Sequence, residues 1–217
     1  MTLYRCMILL AVLFVAAACG TKPPDYQAIW SKSPTAAPNT GTAKPVPISK
    51  YLEDQGVNGE PMTPRTLTDL NVSMPRPPGW TIVDDPNQQT TYQVLRKTDV
   101  ASYPPTATLM VFKLTGKFDP AEAIKHGYAD AQLSDGFHQL SASMNNFKGF
   151  PSAMIEGSYN VGDQRLHTYN RIVIATGAPP ANQNYLVQFS VTTAANEAQP
   201  QSNDIEQIIG GFTVASK

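Results

Sequence analysis

Cysteine is nearly absent from this chain. Its 217 residues include two, Cys6 and Cys19, and both lie within the first twenty. The globular part is therefore without a disulfide, a thiolate metal site or a cysteine nucleophile, and its stability must come from packing. Charge is scarce as well. Asp, Glu, Lys and Arg make up 15% of the chain, against roughly 25% in an average soluble protein. The formal net charge of −1 leaves no electrostatic footprint for nucleic acid. No run of Lys or Arg offers itself to anionic lipid headgroups. The surface must be carried by Asn, Gln, Ser and Thr, a composition that suits neutral polar or sugar-like partners.

Signatures of catalysis are missing too. No Gly-x-Ser-x-Gly elbow occurs; Gly149-Phe150-Pro151-Ser152 lacks the second glycine and sets a proline before the serine. There is no Ser-x-x-Lys, no phosphate loop and no dinucleotide fingerprint. His126 and Asp130 are four apart and could share a helix face, but such a pair is more often solvated surface than a metal site. His167, Tyr169 and Arg171 alternate on one strand face, which reads as a half-exposed sheet surface or a polar patch for a sugar or carboxylate. Glu156 and Asp163 are too isolated for the paired carboxylates of a glycosidase. The expectation is a protein with no catalytic residues, no metal and no cofactor.

What is present begins at the N-terminus. Arg5 precedes an apolar run, Met7 to Val15, followed by Ala16-Ala17-Ala18-Cys19. That run is too short to span a bilayer, which takes about 20 residues, and suits the core of a signal peptide. Small residues leading into cysteine resemble a bacterial lipobox, although Ala16 stands where a larger aliphatic is usual. The reading is a leader over 1–18 and a lipid-bearing Cys19. The alternative is an ordinary secretory peptide with an incidental cysteine. Two acyl chains on Cys19 would anchor the protein stably, at about 0.8 kcal/mol per buried methylene.

Residues 19–47 read as a tether. Prolines at 23, 24, 34, 38, 45 and 47 punctuate a run of Ser, Thr, Ala and Asn with no helical or strand period. The 28 residues from Gly20 to Pro47 would reach on the order of 90 Å if extended. Tyr26, Ile29 and Trp30 interrupt the polar run and form a possible sticky patch near the membrane.

Residues 48–217 read as one α+β domain. Ile48 to Gln55 predicts a short helix, and Leu67 to Met74 a half-buried strand. Further strands are expected at Thr81–Val83, Gln93–Lys97 and Ala107–Leu114. The last is apolar on both faces, as a strand covered on both sides must be. Asp119-Pro120-Ala121-Glu122 combines an N-cap, a proline at the first helical position and a capping acid. It predicts a helix to about Ser134 with Ala121, Ile124, Tyr128 and Ala131 as its buried stripe. Strands follow at Phe137–Phe147, Pro151–Val161, Gln164–Thr176 and Asn184–Thr193, with a hairpin turn at Val161-Gly162-Asp163. A helix over Asn203–Gly210, packed by Ile205, Ile208 and Ile209, and a short strand at Phe212–Val214 close the domain. The pattern implies an antiparallel sheet with helices packed on it. Large apolar groups able to line a cavity between sheet and helix are Trp80, Tyr92, Met110, Phe112, Tyr128 and Phe189, with Met154 and Tyr159 beside them. Such a cavity would suit lipid or acyl ligands, and plain core packing is the competing explanation.

Taken in order, the segments resemble the mycobacterial LpqN/LpqT lipoprotein family, on its LpqT side. The resemblance rests on Ala18-Cys19-Gly20, Lys50-Tyr51-Leu52-Glu53, Pro75 to Trp80, Leu109 to Leu114 and Phe118 to His126. Gly149 to Ser158, Arg165 to Ile174, Thr176 to Pro180 and Ala195 to Ala198 complete it. It implies a single PsbP-like domain, an antiparallel sheet sandwiched by helices, on the outer face of the plasma membrane. It also implies a non-enzymatic binding or adaptor role beside envelope lipid transport, with a glycolipid or a lipid-transport complex as partner and a monomeric state. A role in contact with host receptors or cell wall is the alternative.

Overall fold

The computed structural model describes residues 44–83, 91–100 and 103–217. The leader, Cys19, the tether as far as residue 43 and the Tyr26–Ile29–Trp30 patch lie outside these residues.

The core of the domain is an eight-stranded antiparallel sheet. Its strands are β1 (Asn58–Pro61), β3 (Trp80–Ile82), β4 (Gln93–Lys97), β5 (Thr106–Thr115), β6 (His138–Ser143), β7 (Ser152–Val161), β8 (Gln164–Thr176) and β9 (Asn184–Ala194). The order is β3-β4-β5-β9-β8-β7-β6, and β1 adds to β5 beyond the end of β4. Strand β2 (Leu70–Ser73) is apart from this sheet. It pairs with the C-terminal β10 (Thr213–Ser216), and the two-stranded ribbon packs its Leu70, Val72 and Val214 onto the large sheet. The strand expected over Leu67–Met74 is thus shorter and stands outside the large sheet.

The long strands β5, β8 and β9 are covered on both faces: one face of β5 and β9 is fully buried and the other is half-buried. On one face Leu109, Val111, Val187, Phe189 and Val173 pack beneath helix α4 (Ser202–Gly211) through Ile205 and Ile208. Aromatic stacking fixes that layer: Phe212 lies between Phe189, at 4.3 Å, and Phe147, at 5.3 Å. Asp204 of α4 pins the helix to the sheet edge. It accepts from Trp80 Nε1 at 3.0 Å and from Lys97 Nζ at 2.7 Å. The Lys97 bond holds the Asp204 carboxyl below the ordinary carboxylate range.

On the opposite face Leu114, Ile172, Ile174, Leu186 and Ala153 pack under helix α1 (Ile48–Asp54) and a broken helical segment. That segment is α2 (Pro120–Ala123), a 3-10 turn over Ile124–His126 and α3 (Ala129–Gln132). Its start is as expected, because Asp119 accepts from the Ala121 N–H at 2.8 Å. A single helix to Ser134 does not form. The chain turns at Gly127 and presses backbone onto the sheet so closely that a Cβ there would stand 2.5 Å from Ala153 Cβ. The break shifts the buried stripe to Ala123, Ile124, Ala129 and Ala131, and leaves Ala121 exposed.

Candidate functional site

Helix α1 and the segment around α3 cover only part of their sheet face. Between them lies a cavity of about 680 Å³. Its floor follows from strand register. Met110 stands opposite Gln188 and Gln188 opposite Ile172; Phe112 stands opposite Leu186. One wall is α1 with the chain that follows it: Ser49, Leu52, Glu53, Val57, Asn58 and Gly59. The other is Gly127, Asp130 and Ala131.

The cavity changes character along its length. Leu52, Val57, Phe112, Leu114 and Leu186 make one end apolar. Asn170, Gln188 and Ser190 bring amide and hydroxyl groups to the floor farther along β8 and β9. Glu53 and Asp130 stand exposed on the two walls. Packing removes enough water around Asp130 to push its carboxyl above the ordinary value. Such a site can hold an alkyl or acyl chain at one end and hydrogen-bond a polar group at the other.

Of the six aromatic and methionine residues expected to line a cavity, Met110 and Phe112 do so. Tyr128 packs against the same core without lining the cavity. The wall passes Phe189, but its ring stacks on Phe212 on the opposite face. Trp80 and Tyr92 lie on that opposite face too, and so does Met154. These four pack in the core beneath α4; Phe189 does so because the odd positions of β9 face away from the cavity. The lining residues that sequence reasoning missed are chiefly Gln188, Ser190 and Asn170. Their polar alternation was visible, but alternation alone does not separate a solvent face from a cavity floor.

The remaining candidates are structural. His126 and Asp130 do not share a helix face, because the helix breaks between them. The Nδ1 of His126 is 3.1 Å from the Val46 carbonyl oxygen and its ring stacks on Tyr51 at 4.2 Å. The pair ties the start of the domain to the 3-10 turn. His167, Tyr169 and Arg171 share a face; His167 and Tyr169 are buried there and Arg171 is half-buried. His167 Nε2 lies 2.9 Å from Glu156 Oε1, with His167 only 2% and Glu156 only 7% exposed. The partner of Glu156 is thus a histidine and not a second carboxylate. Ser158 is fully buried nearby and its hydroxyl accepts from Arg165 Nη2 at 2.8 Å. This serine, histidine and acid are buried in the sheet, apart from the cavity, and no histidine lines the cavity. Among the described residues no group of three His, Cys, Asp or Glu could hold a metal ion.

The fold and the cavity together define a class: an α+β domain in which a curtain of short helices stands off one face of an antiparallel sheet. That fold is shared with the crystal structure of LpqN of Mycobacterium tuberculosis, described as involved in cell envelope biogenesis. The TM-score is 0.69 at 19% identity, over 80% of this chain and 99% of that one. Sequence places the chain more narrowly. The profile of the family described as "Probable lipoprotein LpqN" matches residues 44–215, and the chain belongs to that family. It is 56% identical to "Putative lipoprotein LpqT" of Mycobacterium tuberculosis over 203 residues, 93% of this chain and 88% of the relative. It is also 40% identical to the "Proline-rich 28 kDa antigen" of the same species over 170 residues, 78% of this chain and 54% of that one.

Proposed function

We propose that this envelope lipoprotein binds an amphipathic envelope lipid in the cavity between α1, α3 and the sheet, and does no chemistry on it. The carrying observation is the cavity itself, apolar at one end and amide- and hydroxyl-lined at the other. The buried position of the Ser158, His167 and Glu156 cluster supports a binder over a hydrolase. In this reading Cys19 carries diacylglyceryl and palmitate, and the tether holds the domain on the outer face of the plasma membrane. There a monomeric domain receives a glycolipid, or hands it to a lipid-transport complex. Native mass spectrometry of the chain purified from a mycobacterial host tests it. A lipid mass that leaves on gentle activation is expected. Absence of co-purified lipid, together with no binding to added trehalose mycolates, would overturn the proposal.

A second reading is contact with host receptors or cell wall, with acylated Cys19 as the recognised group. The antigen name borne by one relative favours it. It requires that Cys19→Ser abolish receptor signalling; full signalling by that variant would refute it.

A further inference from the structure

Of the three charged residues that line the cavity, two are acids. Glu53 stands on one wall and Asp130 on the other, both exposed. Neither forms an ion pair among the described residues, where the pairs are Lys50–Asp54, Lys97–Asp204, Lys125–Glu122 and His167–Glu156. Lys50, on the same helix as Glu53, is held by Asp54 and feels Glu53 only as a weaker attraction, and Lys125 is held by Glu122. The one basic residue that the wall passes, Arg171, turns its charge to the other face of the sheet. Its Nε donates to the Tyr169 hydroxyl at 2.9 Å and its Nη1 to Ser152 Oγ at 3.2 Å. Its guanidinium lies 4.5 Å from the centre of the Phe147 ring, in the layer beneath α4.

A ligand polar group in the cavity therefore has amides, hydroxyls and two carboxylates to meet, and the cations nearby are already paired. We infer that Asp130 and Glu53 act as a charge filter, admitting amphiphiles with uncharged polar heads and turning away anionic lipids such as fatty acids and phospholipids. The inference rests on the lipid-binding reading of this cavity. Two acids within several ångströms of a headgroup, partly screened by solvent, would disfavour a single negative charge by about tenfold in affinity.

The test uses amphiphiles that share a twelve-carbon chain and differ in head charge: dodecyl maltoside, dodecyl phosphate and dodecyltrimethylammonium. Each is titrated below its micelle concentration against N-phenyl-1-naphthylamine bound to the full mature chain, made with Cys19→Ser so that no acyl group competes. Dodecyl phosphate should need about tenfold more than the maltoside to displace the dye. In the chain carrying Asp130→Asn and Glu53→Gln, that ratio should fall to about twofold, and the ammonium amphiphile should weaken relative to the maltoside. A ratio that persists in the double variant, or no preference in the unsubstituted chain, overturns the charge filter alone. Failure of the dye and of all three amphiphiles to bind overturns the lipid-binding reading and the filter with it.

Discussion

Removal of the Asp204 carboxylate should loosen α4 from the sheet by about 2–3 kcal/mol, drawn from hydrogen bonds to a charged group worth about 1.5–3 kcal/mol each. One oxygen, Oδ2, serves both Trp80 Nε1 and Lys97 Nζ, so the two bonds do not add in full. The side chains of Lys97 and Asp204 are 16% and 25% exposed, which keeps solvent screening modest. Asp204→Ala leaves the indole N–H and the ammonium without their acceptor. Asp204→Asn keeps an acceptor and loses the charge, and should cost about half as much. For a domain of about 170 residues the Ala variant corresponds to a Tm lower by about 5–10 °C. Urea denaturation of the full chain gives the free energies, and a cycle with Lys97→Met isolates the ion pair. Sign matters for the pH dependence. Asp204 titrates lower in the folded state than unfolded. Its contribution is therefore complete above the unfolded carboxylate value of about 3.9 and is lost as pH falls toward the folded value. The gap between the unsubstituted chain and Asp204→Asn should shrink in that window. A loss below about 0.5 kcal/mol in Asp204→Ala, with a gap unchanged by acid, would refute the pinning role.

Other perturbations read other parts of the account. Gly127→Val should cost several kcal/mol and detach the α2–α3 segment, since even a Cβ at 127 would clash with Ala153; circular dichroism and thermal melting measure it. Leu52→Ala should destabilise by about 2–5 kcal/mol and widen the cavity, because Leu52 is 3% exposed on the sheet-facing side of α1; a stability loss with no change in dye binding would contradict the place assigned to α1. His126→Ala removes both the contact to the Val46 carbonyl and the stack on Tyr51, so amide exchange at Tyr51 should speed up while exchange on β9 stays slow. Glu156→Leu leaves His167 buried without its carboxylate partner and should cost about 3 kcal/mol, whereas Glu156→Gln should cost less.

How far the sequence could be read depends on what each element packs against. Strand β5 declared itself because cover on both faces calls for apolar residues on both, and β9 by its clean alternation. The capping box at Asp119 located the start of α2, but nothing local announced that Gly127 would break the helix. That break depends on Ala153, which comes from a strand still to be made. Strand β1 was invisible: all four of its residues are exposed, and it is a strand only because β5 offers it an edge. The His167–Glu156 pair was hidden by the hairpin between β7 and β8, which brings residues eleven apart into a buried diagonal.

The site was legible in part and for a definable reason. Apolar size could be counted, so Met110 and Phe112 were found. Which face each large residue would take could not be counted for Trp80, Tyr92 and Phe189, because both faces of the sheet are covered and either would accept an aromatic. The polar end was missed for the opposite reason. Gln188 and Ser190 look like solvent-facing residues until α1 and α3 are seen to stand off the sheet and leave a roofed floor.

Photo-crosslinking locates the lipid: an alkyl glycoside carrying a diazirine in its chain is irradiated with the full chain carrying Cys19→Ser, and the adducts are mapped by peptide mass spectrometry. The account predicts adducts on Leu52, Met110, Phe112 and Leu186, suppressed by excess dodecyl maltoside. Adducts spread over the surface, or concentrated beneath α4 around Trp80 and Tyr92, would contradict it.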